Sequence, residues 1–194
     1  MTRALRDRRR WPMLGTAMGF LNRWFNKAPS PPRSSMQSVS VNLRAGRYFI
    51  VTIHGSDGGD PCIAAGPVDT LPADATPATL GAAIARALQR TMHDHPYPAN
   101  NAEWKSVTAP LLNAAGCKTW SAFAKGASDL RINRTGTQVQ VLPCSREAKG
   151  AFAPVVERER RLESPSDDAL GALVAAELAF ALARDNAVDP RSTQ

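Results

Sequence analysis

Thr76-Pro77-Ala78-Thr79-Leu80-Gly81, followed by Ile84 and Leu88, returns 90 positions later as Ser166-Asp167-Asp168-Ala169-Leu170-Gly171, followed by Val174 and Leu178. In both copies a hydroxyl residue stands ahead of an apolar series at i, i+4 and i+8. That is the stripe of an amphipathic helix behind a side-chain N-cap. The Leu-Gly pair falls at the same place in each copy. Glycine inside a helix costs about 1 kcal/mol against alanine, so a matched pair predicts close packing, here expected against a sheet. The chain therefore divides into two related halves, each a β segment leading into a capped helix.

The segments around the repeats complete the outline. Arg47 to Ile53 is β-branched and aromatic and predicts a strand, ended by the turn residues of Gly55 to Pro61. Cys62 to Val68 predicts a second strand, broken by Gly66-Pro67. The first repeat helix is expected over Pro77 to His93, followed by a His95-Pro96-Tyr97-Pro98 loop. Trp104 to Ala115 and Lys118 to Lys125 predict two further helices, ended by Gly116 and Gly126. Asp129 to Asn133 and Gln138 to Leu142 predict a hairpin turning at Arg134-Thr135-Gly136, and Phe152 to Leu162 a third, partly exposed strand. Ser166 to Ala183 closes the chain as a helix. The class is α+β: small antiparallel sheet or sheets packed with helices, two pseudo-repeated halves joined by a helical middle segment.

Charge separates the chain into regions. The formal charge of +7 over 194 residues is carried by residues 1–35, which hold eight bases and one acid. That arm is proline-rich toward its end and is expected to be disordered; 36–186 form a single α+β domain, and 187–194 a disordered tail. Arg8-Arg9-Arg10 ahead of Trp11 to Leu21 leaves other readings open: an over-extended start before Met36, contact with a membrane surface or nucleic acid, or an export signal. Within the domain, 48–85 carry −4, 104–149 carry +5 and 150–190 carry −4. Such alternation speaks to partner steering rather than to fold.

The chemistry-bearing groups give no catalytic set. Cys62, Cys117 and Cys144 contain no C-x-x-C pair, which argues against a disulfide framework and for a reducing compartment, the cytoplasm. No run approaches the roughly 18 apolar residues of a membrane helix. His93-Asp94-His95 lacks a third nearby ligand and is expected at a polar helix end, so no metal and no cofactor is expected. Cys62, His54 and an aspartate of the Asp57/Asp60 loop could assemble a thiol triad, but only their closeness in sequence favours it. The Gly55–Asp60 stretch lacks the lysine of a phosphate loop and is expected to be a hairpin turn. Trp104 and Trp120 are expected in the core, and Glu157 to Glu163 forms a mixed-charge face or a protein interface.

Gly46 to Val51, Ala65 to Pro72, Leu80 to Ala83, Trp120 to Ala127 and Ser166 to Ala172 together resemble immunity proteins of bacterial contact-dependent growth inhibition systems. The resemblance keeps its order from Val41 to Ala183. It implies a non-catalytic cytoplasmic protein that binds the toxic C-terminal domain of a large exported adhesin, often a nuclease acting on transfer RNA, and occludes its active site. No direct nucleic-acid or membrane partner is expected on that reading. The alternative is a nucleic-acid- or membrane-surface-binding protein acting through the basic arm. An acidic surface would meet a phosphate-binding groove with fast, salt-sensitive association. The acids expected to face the toxin are Asp57 and Asp60 in the glycine-rich turn, with Glu157, Glu159 and Glu163 in the mixed-charge run.

Overall fold

Alternation of apolar and polar residues from Gln37 to Arg44 places Val39, Val41 and Leu43 on one side and Ser38, Ser40 and Asn42 on the other. In the computed structural model this segment is the first strand, β1. The structure describes residues 35–56, 59–60, 62–147 and 150–188. Residues 1–34 of the arm, 189–194 of the tail, and Asp57 lie outside them. Ala45 (φ 48°) and Gly46 (φ 72°) form a two-residue turn with both dihedrals positive, as a type I′ hairpin requires. The chain returns as β2 (Arg47–His54), with Arg44 opposite Arg47.

β3 (Ile63–Pro72) runs through Gly66-Pro67 rather than stopping there. Proline is tolerated because β3 is the edge strand, and the register against β2 shifts between Val51 and Ile53. Helix α1 spans Pro77–Gln89, capped by the Thr76 side chain, which accepts from the Thr79 amide. The middle segment supplies α2 (Asn101–Ala114) and the short α3 (Trp120–Ala124), capped by Asn100 and Thr119. β4 (Ala127–Thr135) and β5 (Gln138–Arg146) form the second hairpin. It turns at Gly136-Thr137, one residue later than the sequence suggested, because Thr135 still pairs with Gln138. The expected third strand is divided into β6 (Phe152–Pro154), a 3₁₀ turn (Val156–Arg158) and β7 (Arg160–Glu163). β6 covers the Cys144–Arg146 part of the β5 edge and β7 the Gln138–Val141 part. Helix α4 (Asp167–Val188) closes the fold, and Ser166 Oγ accepts from the Ala169 amide.

All pairings are antiparallel, in the order β3-β2-β1-β4-β5, with β6 and β7 sharing the outer edge. The two halves are thus related across the β1–β4 seam: three strands run outward from it on each side, and each half ends in a capped helix. α1 and α4 lie together on one face, over a core of Val39, Val41, Ile50, Leu130, Ile132 and Val141. The matched glycines explain the pairing. A Cβ on Gly81 would lie 1.8 Å from the Asp167 carbonyl oxygen, and one on Gly171 1.9 Å from that of Pro77. The close contact is therefore helix against helix, each glycine receiving the other helix's first turn, and not helix against sheet as expected. On the opposite face α2 packs on β2 and β3, while α3 reaches β4 and β6, around Phe49, Val51, Leu111, Phe123 and Ala127.

Candidate functional site

The part of that second face belonging to β1, β4, β5 and β7 is polar, and most of its side-chain bonds cross from strand to strand. Ser38 Oγ donates to Asn133 Oδ1 at 2.8 Å, and Asn133 Nδ2 donates to Gln140 Oε1 at 3.0 Å. Gln140 and Arg161 both donate to the Glu159 carboxylate, and the Arg161 bond first, then Gln140, holds that carboxyl below its usual range. The relay crosses three strands, β1, β4 and β5, and ends at Glu159, just ahead of the strand that covers the β5 edge. A second series runs parallel to it: Asn42 Nδ2 donates to Ser40 Oγ at 2.9 Å, and Ser40 Oγ to Asp129 Oδ1 at 2.5 Å. Burial pushes the Asp129 carboxyl up, against its bond from Ser40. Cys144, beside it, is pushed up by burial and then by the Asp129 charge, so this thiol is not a nucleophile.

The mixed-charge run is sorted by what α4 offers. Glu177 of α4 is buried, and it takes both Arg158 and Arg160, the latter at 3.5 Å. The Arg158 guanidinium also lies 3.9 Å over the Phe180 ring. Arg158 is thereby drawn inward and Arg160 reaches Glu177 from the surface, while Glu157 and Glu163 remain exposed. The segment is not simply a solvated face: two of its cations fasten it to α4, and Glu159 is held by Arg161.

The predicted acids fall at two ends of the sheet. Asp60 is exposed in the β2–β3 loop, whereas Glu157, Glu159 and Glu163 flank the β5 edge. Four strand spacings from β2 to β7, at about 4.8 Å each, put these groups on the order of 20 Å apart. The three glutamates are strung along the β5–β7 edge, Glu157 before β7 and Glu163 at its end opposite Gln138, and Asp60 lies away from them.

Other candidates resolve into structural roles. His54 accepts from the Met92 amide at Nδ1 (3.1 Å), so its Nε2 carries the proton toward the Ala65 carbonyl (3.2 Å). Both nitrogens are engaged by backbone, and Cys62 is exposed, which dissolves the thiol triad. α1 ends at Gln89, so His93 and His95 do not sit at a helix end as expected; His95 stacks on His54 at 4.8 Å in the following loop. The tryptophans are not core residues. Trp104 is 36% and Trp120 37% exposed, one packed edge-on to Tyr97 and the other against Phe123 and Phe152. The polar relay was missed in the sequence, although the alternation Ser38-Val39-Ser40-Val41-Asn42-Leu43 contains its β1 half.

Among the described residues no helix is long and apolar enough to cross a membrane. A search of curated proteins finds no match. Solved structures share the fold, among them the following two. A protein of unknown function from Neisseria meningitidis is 19% identical, with a TM-score of 0.60 over 78% of this chain and 96% of its own. A toxin and immunity complex, CdiA-CT/CdiI, from Yersinia pseudotuberculosis contains a chain 15% identical, with a TM-score of 0.59 over 78% of this chain and 98% of its own. The family profile of the CDI immunity protein, CdiI, matches residues 37–181, from the first residue of β1 to Ala181 within α4. The two pseudo-repeated halves, the paired glycine-locked helices and the polar sheet face all lie inside that match, and the chain belongs to the CdiI family of contact-dependent growth inhibition immunity proteins.

Proposed function

We propose that residues 36–186 bind the C-terminal toxin domain of the cognate contact-dependent inhibition adhesin in the cytoplasm and neutralise it by covering its active site. The family match over 37–181 carries this reading. The Yersinia neighbour, a toxin and immunity complex, supplies the same architecture. The toxin in this reading is a nuclease acting on transfer RNA, and this chain contributes occlusion rather than catalysis. A groove built for phosphate is positive, and the exposed Glu157 and Glu163, with Glu159 held ionised beside them, are the acids placed to enter it. Asp60 would belong to a separate contact at the other end of the sheet, and Asp57 is proposed to face the toxin from the same turn by its place in the sequence.

Co-purification with the toxin domain encoded next to this gene, followed by cleavage of bulk transfer RNA with and without this protein, tests the reading. Stoichiometric complex that stops cleavage is the expected result. Absence of a complex would sink it, and complex formation without loss of cleavage would remove occlusion.

A further inference from the structure

Between α2 and α3 lies an open cleft of about 680 Å³ whose lining includes Lys105, Leu112, Asn113, Cys117, Lys118 and Trp120. We infer that this cleft is a second contact for the toxin, taking an acidic segment of the toxin domain between Lys105 and Lys118 with Trp120 as its apolar anchor. The inference rests on the toxin-binding reading above.

The charge argument comes first. Among the described residues no carboxylate lines the cleft, and no ion pair involves Lys105 or Lys118. Glu103, the acid within the first turn of α2, is turned back on the helix start, accepting from the Ala99 amide at 2.8 Å and from Asn100 Nδ2 at 2.7 Å. Both ammonium groups are exposed and are left to attract an anionic partner.

The anchor is rigid before any partner arrives. Trp120 Nε1 donates to the Gly150 carbonyl at 2.9 Å, and the ring is packed on Phe123 and Phe152. A fixed, partly exposed tryptophan beside unpaired cations is the composition of an interface centre, where aromatic residues carry the energy and charges set the register. α2 itself has only Leu111 fully buried among its 14 residues, so its outer surface is not used by the fold. Nucleic acid fits less well. Two lysines neutralise about two phosphates, far short of the several contacts that give useful affinity at physiological salt.

Cys117, half-buried in the lining, gives a reporter. In full-length protein carrying Cys62→Ser, the remaining thiols are Cys117 and the buried Cys144. The toxin domain encoded next to the gene is the probe. Lys105→Glu with Lys118→Glu is expected to weaken toxin binding at least tenfold at low salt and to flatten its salt dependence, and bound toxin is expected to slow maleimide labelling of Cys117 at least tenfold. Both lysines are exposed, so an unchanged unfolding midpoint is the control for folding. Toxin that binds the parent and the double variant equally, leaving Cys117 reactive, overturns the cleft while the neutralisation reading stands. Weakened binding with Cys117 still reactive in the complex means steering from a distance, and it overturns the cleft as well. Transfer RNA alone binding in a lysine-dependent way would assign the cleft to nucleic acid instead. Toxin that fails to bind the parent protein removes both readings together.

Discussion

The two faces of the sheet are built to different tolerances. On the α1/α4 face each helix places its first turn where the other's missing side chain would be, with carbonyl oxygens of Asp167 and Pro77 occupying the Cβ positions of Gly81 and Gly171. Beneath them Ile84, Leu88, Val174 and Leu178 are at most 1% exposed. On the other face α2 touches the sheet through Leu111 and a few half-buried neighbours, and β1, β4 and β5 present hydroxyls, amides and a carboxyl. The first face is closed by apolar side chains and helix backbone; the second is held by a buried polar network, in which Ser38, Asn42 and Asp129 are at most 9% exposed.

The largest test of that contrast is Gly81→Ala or Gly171→Ala. Helix propensity alone favours alanine by about 1 kcal/mol, yet here the added methyl meets backbone rather than a flexible side chain. The helices must move apart, and a net loss of about 3 kcal/mol in urea-measured stability is expected. A gain in stability at either position would show that the helix pair is slack and the two faces alike. Next in size is Glu177→Ala. It leaves Arg158 and Arg160 without their buried carboxylate, and about 2 kcal/mol should be lost because Arg158 is only about a fifth exposed. Glu177→Gln should recover part of that loss. Equal losses from both variants would mean that the charge alone matters, whereas full recovery in Glu177→Gln would mean that the charge is irrelevant and only packing holds the β6–β7 connection.

Helices and the repeat were legible because their signals are local. A hydroxyl cap, a stripe at i, i+4 and i+8, and Pro77 at the first turn need no knowledge of the rest of the chain. β1 was not read, although its alternation is regular, because half of it is polar on a face that the fold covers only in part. The glycine contact was anticipated but assigned to the wrong surface: sequence shows that room is needed, not what fills it. The acidic residues were read as one group, and the strand order separates Asp60 from the glutamates by most of the sheet. Arg158 and Arg160 were read as solvent-facing because their partner, Glu177, lies on an element 17 or more residues away.

A smaller effect, conditional on pH, is expected at the knot that joins the two faces. His54 is buried and its imidazole is held below the ordinary histidine value, chiefly by loss of water, with His95 and Arg90 adding repulsion. Its Nδ1 accepts from Met92, so protonation sets an N–H against an N–H. The unfolded chain therefore binds the proton more readily than the folded one. Stability from this site is present above about pH 6.5 and declines as pH falls below that value toward the folded pKa. Urea unfolding from pH 7.5 to 5 should show the decline, and His54→Gln should flatten it. Asp129 has the opposite sign. Its carboxyl is raised by burial, so its contribution is greatest at low pH and is lost as pH rises through its folded value. A slope unchanged in His54→Gln would place the proton uptake elsewhere.

The smallest expected effects on stability lie at the exposed acids, and they separate fold from recognition most directly. Glu157 and Glu163 point into solvent, and neither is used by the ion pairs that fasten the β6–β7 connection to α4. Glu157→Lys with Glu163→Lys should therefore change unfolding free energy by no more than about 0.5 kcal/mol. The same pair should slow association with the toxin domain about tenfold at low salt, with much less effect at high salt, because exposed charge acts mainly on encounter. Stopped-flow binding across a salt series measures this. Adding Asp60→Lys, about 20 Å away at the other end of the sheet, separates two geometries. A further slowing would require a toxin surface spanning the sheet from edge to edge, whereas no further effect would confine the encounter to the β5–β7 edge. Association unchanged in the triple variant, with folding intact, would mean that the acids serve solubility alone and that recognition lies elsewhere, as at the α2–α3 cleft.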